Sequence, residues 1–323
     1  MPSPLRSALL AAAAVFLLPT AASTFAAAQE TPTLIVLRAD PPKGKGEMGT
    51  PAPLVQADIA QIKVGGKPAP ITAWTPLLKG PTTLQLYLLI DKSIEIGIHE
   101  QFDDINRFFS HLPATTEISV GYMERGKAKT EQPFTTDRKL VAAALHVPTD
   151  IVNPKNDNGS PYVCLADLAT HWEKPDPAKV RAVLMITDGV DRYNTNQGSD
   201  ALNPNVDTAA NTMSRFGIPV YSLYYMDPVP PPGKNTGGML EGQTLMDQLA
   251  DGTAGKALYQ GQYAPSSFQP LLTVLYDILD KEVVATVTAK GNGYKSVDVK
   301  TDRKDIKITA PLGVMIGNVM PKK

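Results

Sequence analysis

The stretch LQLYLLID, Leu84–Asp91, is an almost unbroken apolar run that ends in a carboxylate. It has the length of a strand, and its apolar residues are nearly continuous rather than alternating. A strand of that kind is covered on both faces, as in a parallel sheet walled by helices. A second run, RAVLMITDG, Arg181–Gly189, has the same character and reaches its carboxylate at Asp188. Around these two runs the period changes. Ile98, Phe102, Ile105, Phe109 and Leu112 recur at helical spacing and Pro113 closes them. EISVGYM reads as a strand with KTEQPF as its short partner. Thr136 is placed to cap a helix carrying Leu140, Ala144 and Val147, and Ser160-Pro161 to open one carrying Leu165, Leu168 and Trp172. Val206, Ala210, Met213 and Phe216 form a further helix face, with Gly217 at the position that stops it, before the strand IPVYSLYY. A helix near Gln243–Ala250, a strand KALYQ and a helix capped by Ser267 and carrying Leu271, Leu272, Leu275, Ile278 and Leu279 complete the series. Strands alternating with helices predict an α/β fold: a doubly wound, mostly parallel sheet with helices on both faces, over residues 82–282.

Outward from this body the pattern is β-rich on both sides. Residues 29–81 carry TLIVLRAD and ADIAQIKVGGKPAPITAW, and the Gly65-Gly66 pair between apolar runs is a hairpin signal. A Gly/Pro/Lys stretch, Pro41–Pro53, separates them as a loop. Residues 283–323 read as strands VVATVTA, SVDVK and DIKIT. The N-terminal flank is too short to make a robust domain alone and is expected to form a small β module packed on or preceding the main domain. The first 28 residues hold one charge, Arg6, then the apolar run Ala8–Leu18 and the small residues Ala26-Ala27-Ala28. That order predicts a secretory signal peptide over residues 1–28, hence export to the periplasm or the extracellular space. The apolar run falls short of the ~20 residues of a membrane span, and none is expected in the mature chain.

Charge is nearly balanced, with 31 basic and 32 acidic residues, so neither nucleic acid nor an acidic surface is indicated as partner. Cys164 is the single cysteine, which excludes an intramolecular disulfide and leaves stability to an ordinary core. The four histidines show no metal-ligand spacing, and the sequence has neither a nucleophile elbow nor a phosphate-binding glycine loop. No enzyme is expected.

In open α/β sheets ligands bind beyond the carboxyl ends of the strands. Asp91 begins Asp91-Lys92-Ser93-Ile94-Glu95, whose alternate residues can face one locus in a tight loop. Ser160 sits in NGSP ahead of a helix, and Asp188 in ITDGVD. Carboxylate and hydroxyl oxygens from three loops are what a hard divalent cation requires. Each also has a local structural reading: Ser93 as a turn, Ser160 as an N-cap, Asp188-Gly189 as a turn pair.

LLIDKSIE, NGSPYVCLADLA and VLMITDGVD, in that order and spacing, resemble a von Willebrand factor A (VWA) domain, and more closely the related family of secreted acidobacterial proteins. The resemblance spans about residues 82–282. It implies a VWA/Rossmann-like fold with a metal-ion-dependent adhesion site, whose pattern is D-x-S-x-S, a distant Thr and a later Asp. Asp91 and Ser93 match its first two positions and Asp188 its last. Ser160 stands in place of Thr and keeps the hydroxyl; Glu95 stands in place of the second Ser. A carboxylate there either binds the metal directly or turns to solvent and leaves the site one oxygen short.

The expectation is therefore an exported binding protein of adhesion type. Asp91, Ser93, Glu95, Ser160 and Asp188 would hold Mg or Mn, or else Ca, and a protein partner would offer an acidic group to the open position. Loops 148–159, 190–205 and 227–241 would frame the site. The alternative is a metal-independent structural or interaction module of the cell envelope.

Overall fold

The computed structural model describes residues 30–41, 51–92, 94, 96–147, 159–173, 176–191, 203–226, 237–261 and 263–316. The expected signal peptide, Ser93, Glu95 and the central parts of the three framing loops lie outside the described residues. The chain opens with strands β1 (Glu30–Asp40), β2 (Ile59–Val64), β3 (Lys67–Pro68) and β4 (Ile71–Pro76). Next come β5 (Leu84–Asp91), α1 (Phe102–His111), β6 (Glu117–Glu124), β7 (Lys127–Thr135), α2 (Arg138–Ala143) and α3 (Pro161–Thr170). Then follow β8 (Val180–Thr187), α4 (Pro204–Arg215), β9 (Val220–Tyr224), α5 (Gly237–Thr253), β10 (Lys256–Leu258) and α6 (Gln269–Lys281). The described chain ends with β11 (Val283–Lys290), β12 (Gly293–Thr301), β13 (Lys307–Thr309) and β14 (Gly313–Ile316).

The central sheet has six strands in the order β10-β9-β8-β5-β6-β7. Its pairs are parallel except β6 with β7, which are antiparallel neighbours joined by a tight turn. All eight residues of β5 are buried, as the continuous apolar run requires. Leu86, Leu88 and Ile90 pack with Ile105 and Phe109 of α1 and Leu272, Leu275 and Leu279 of α6. Tyr87 and Leu89, on the other face, pack with Leu165 of α3, Met213 of α4 and Leu249 of α5. The fold is thus the doubly wound α/β sheet that the sequence predicts. Among the described residues no helix is long and apolar enough to cross a membrane.

The two β-rich flanks combine in space. β1 runs antiparallel to β11 from Glu30↔Lys290 to Leu37↔Val283, and β2 pairs with β12. The result is two four-stranded sheets, β13-β1-β11-β4 and β14-β12-β2-β3. Ile35 and Leu37 of β1, Ile62 and Val64 of β2, Val287 and Ile316 fill the core between them. The opposite face of β1, through Leu34 and Val36, packs on the α/β core. Beneath it lies a buried polar joint. Arg38 Nη1 donates to Glu282 Oε1 at 2.9 Å, and the Tyr221 hydroxyl donates to the same carboxylate at 2.7 and 2.8 Å. Arg38 also bonds the carbonyls of Ala254 and Gly255 and both oxygens of Asp40.

Local signals behaved unevenly. Gly65 and Gly66 both have positive φ, 59° and 75°, and close the β2–β3 hairpin as expected. Gly217, φ 63°, ends α4: Ile218 N donates to Met213 O and Gly217 N to Ser214 O, each at 3.0 Å. The helix expected from Thr136 to Val147 is shorter and starts differently. Asp137 caps it, accepting from Lys139 N at 2.8 Å, and it stops at Ala143. The reason is tertiary: the Tyr122 hydroxyl donates to the carbonyls of Ala144 and His146 and accepts from His146 N, which draws this segment away from helical bonding. Leu140 is consequently exposed and Val141 is the buried residue.

Candidate functional site

β5 connects through α1 to β6 on one side, whereas β8 joins the sheet on the other side of β5. The chain reverses direction across the sheet between β5 and β8, which makes their carboxyl ends a switch-point crevice. Asp91 ends β5 and Asp188 directly follows β8; they are 6 % and 5 % exposed. The pairing Ile90↔Ile186 brings Asp91 level with Thr187, whose hydroxyl donates to Asp91 Oδ2 at 2.7 Å. Gly189 N donates to the Thr187 hydroxyl at 3.1 Å, and Val190 N to Asp188 Oδ1 at 3.0 Å. Gly189 has φ +71°, and a Cβ there would stand 2.4 Å from the carbonyl oxygen of Gly242 on α5. The Asp188 turn is therefore pressed against α5 by two glycines and admits no side chain at either.

Ser160 completes the third corner. It is 1 % exposed, has extended φ and ψ, and accepts from Val163 N at 3.3 Å as the N-cap of α3, with Pro161 at the first helical position. Two residues on, the Tyr162 hydroxyl donates to Gly189 O at 2.7 Å, which fastens the start of α3 to the turn after β8. Burial pushes the Tyr162 phenol well above its ordinary value, and the negative charges of Asp191, Asp188, Glu241 and Asp91 add to this. All four carboxylates thus act electrostatically on this one hydroxyl. Lys92, the residue after Asp91, is turned aside, with Nζ 3.0 Å from Glu124 Oε2 at the end of β6.

The structure thus brings Asp91, Ser160 and Asp188 to one sheet edge; Ser93 and Glu95 are outside the described residues. Sequence reasoning missed Asp191 and Glu241. Asp191 is 4 % exposed and accepts from Asn205 Nδ2 at 2.8 Å. Its place in ITDGVD, just beyond the Asp188 turn, was the available signal, whereas Glu241 reaches the edge only through the placing of α5.

The donors are all oxygen, which suits a hard cation that keeps part of its water. Two buried carboxylates and a hydroxyl fit such an ion. Among the described residues, though, no group of three or more His, Cys, Asp or Glu side chains converges closely enough to hold a metal. His99, His111, His146 and His171 are all exposed. Cys164 is buried in the core behind α3, and burial pushes its thiol well above its ordinary value.

Neither a family model nor a curated protein matches the chain. Among solved structures it is similar to the conserved hypothetical protein BatB from Bacteroides thetaiotaomicron, with 17% identity over 61% of this chain and 98% of that one and a TM-score of 0.40. It is similar to a von Willebrand factor type A protein from Catenulispora acidiphila, with 9% identity over 81% and 75% of the two chains and a TM-score of 0.44. It is also similar to the SpRpn10 VWA domain, with 12% identity over 59% and 93% and a TM-score of 0.37. The solved structures that the chain is similar to thus include von Willebrand factor A domains.

Proposed function

We propose that the chain is a binding module of the von Willebrand A type, not a catalyst, and that it engages a protein partner through a divalent cation at the β5–β8 edge. The observation that carries this is the placing of two buried aspartates, Asp91 and Asp188, at the ends of the two strands that flank the switch point, with the Ser160 hydroxyl on the adjoining helix start. Asp91, Ser160 and Asp188, with Ser93 and Glu95 from the intervening loop, would hold Mg or Mn, or Ca. The cation would present an open position to a carboxylate of the partner, a charge-assisted contact that gives orientation from a small area. Residues 1–28 would direct the chain out of the cytoplasm, to the periplasm or the extracellular space.

A second reading, a metal-independent interaction module, is favoured by one observation. Asp91, Ser160 and Asp188 each already accept an internal hydrogen bond, from Thr187, Val163 and Val190. Thermal unfolding of the mature chain in EDTA, then in excess Mg, Mn or Ca, separates the two. A cation that binds only the folded chain adds about 2.7 kcal/mol at a hundredfold excess over its dissociation constant. A rise in midpoint that Asp91→Ala abolishes supports the metal reading. No rise with any of the three cations, or an equal rise in Asp91→Ala, refutes it and leaves the metal-independent module.

A further inference from the structure

We propose that the opposite end of the sheet carries a second interaction surface, built on Arg181 and Arg215, that takes an acidic peptide segment of a partner protein. Arg181 lies at the start of β8, seven residues before Asp188, so roughly 23 Å of strand separates it from the Asp91–Asp188 edge. Its guanidinium is held between two rings: Cζ is 5.8 Å from the centroid of Trp172 and 5.9 Å from that of Phe216. Both rings are fixed. Trp172 is 2 % exposed and donates from Nε1 to Gln85 Oε1 at 3.2 Å, and Phe216 is 7 % exposed. Arg181 Nη2 donates to Phe216 O, at the C-terminal end of α4, at 2.7 Å.

That bond uses one of the five N–H donors of a guanidinium. Among the described residues no carboxylate lies within ion-pair distance of Arg181. Other arginines of the chain are provided for differently. Arg38, Arg107 and Arg303 each meet a carboxylate, and Arg138 fills its fork with the carbonyls of Phe109, Pro113 and Thr116. Burial draws the Arg181 pKa down to about 10, with no acidic neighbour to draw it back. It remains charged at neutral pH. The fold half-buries this cation without a carboxylate partner and leaves its remaining nitrogens open at the surface. The negative end of the α4 dipole accounts for a cation at this place, and the donors that do not bond Phe216 O stay accessible to a ligand.

Arg215 extends the pattern. It is exposed, has no carboxylate partner among the described residues, and lies 6.0 Å over the ring of Tyr294 on β12, which is 42 % exposed. Trp172, Arg181 and Phe216, then Arg215 and Tyr294, alternate rings and guanidinium groups from the α/β sheet across to the β12 sheet. Two planar forks held on aromatic faces suit side-chain carboxylates, which they can bond in bidentate fashion, and the exposed Tyr294 ring is open to the peptide's apolar atoms. A lone inorganic anion would engage one fork and none of the rings.

The test uses a fluorescein-labelled tetraglutamate peptide, titrated by anisotropy into the mature chain in EDTA, so that a cation at the other edge cannot contribute. The expected result is saturable binding that a tetraglutamine peptide does not show. Arg181→Lys, which keeps the charge and loses the fork, and Arg215→Gln should each weaken it about tenfold or more. Equimolar inorganic phosphate should not displace the peptide. Arg215→Gln changes an exposed side chain, so it carries the test if Arg181→Lys unfolds early. Absence of tetraglutamate binding, equal binding by Arg215→Gln and wild type, or displacement by equimolar phosphate would overturn the proposal.

Discussion

Replacing Arg38 by Met removes a buried charge while keeping the stem that lines the joint between β1 and the α/β sheet. Arg38 is 3 % exposed and Glu282 is 1 % exposed, so the substitution strands a carboxylate that water cannot reach. The Tyr221 hydroxyl remains as its donor, but the bonds from Arg38 to Glu282, Ala254 O and Gly255 O all disappear. Removing one partner of a buried pair costs about 3–5 kcal/mol. For a domain of this size that lowers the melting midpoint by roughly 10 °C. The loss should also acquire a pH dependence. Burial already pushes the Glu282 carboxyl above its ordinary value, against the pull of Arg38 and Tyr221. Without Arg38 the rise is larger, and the folded chain then holds a proton that the unfolded chain releases. Stability must therefore fall as pH climbs from the ordinary carboxylate value through the raised folded value, by at most about 1.4 kcal/mol per pH unit for one group. Urea unfolding followed by circular dichroism at several pH values between 4 and 8 measures both effects. Arg38→Met/Glu282→Gln should recover part of the loss and flatten the slope. A cost below about 1 kcal/mol together with a pH-independent difference from wild type would refute the reasoning, because a stranded buried carboxylate cannot behave so.

Two further outcomes follow from the site itself. Gly189→Ala puts a Cβ 2.4 Å from Gly242 O at a positive φ, so the Asp188 turn must leave α5; thermal melts should show a loss of about 2 kcal/mol or more, and any cation-dependent rise in midpoint should vanish with it. Lys92 lowers the Glu124 carboxyl, first through their hydrogen bond and then through its charge. That contribution is present above the ordinary carboxylate value and is lost as pH falls through the depressed folded one. Lys92→Met should therefore melt below wild type at neutral pH and converge with it in acid; a gap that persists unchanged at pH 3 would contradict the assignment.

The legible part of this chain was whatever depends on neighbours in sequence. Continuous apolar runs at Leu84–Asp91 and Arg181–Gly189 could only be strands covered on both faces, because period and length leave no other way to bury them. Gly217 and Gly65-Gly66 were readable for the same reason: positive φ is a steric property of one residue. Asp91 and Asp188 could be named because each follows directly on such a run, and Ser160 because Pro161 marks a helix start. The helix expected to run on to Val147 stops early where a distant group intervenes, since Tyr122 supplies polar partners at Ala144 and His146 that the local pattern does not contain.

Tertiary structure alone decided the rest. That β8 lies beside β5, so that Asp91 and Asp188 share a crevice, depends on which strands bury each other and not on either run. The pairing of β1 with β11 joins residues about 250 positions apart, and it is chosen because each flank by itself is too small to cover its apolar face. The fastening of Tyr162 to Gly189, the arrival of Glu241 through α5 and the burial of Arg38 against Glu282 have the same origin. A buried polar group must find a partner wherever the packed chain offers one, and sequence spacing carries no record of where that will be.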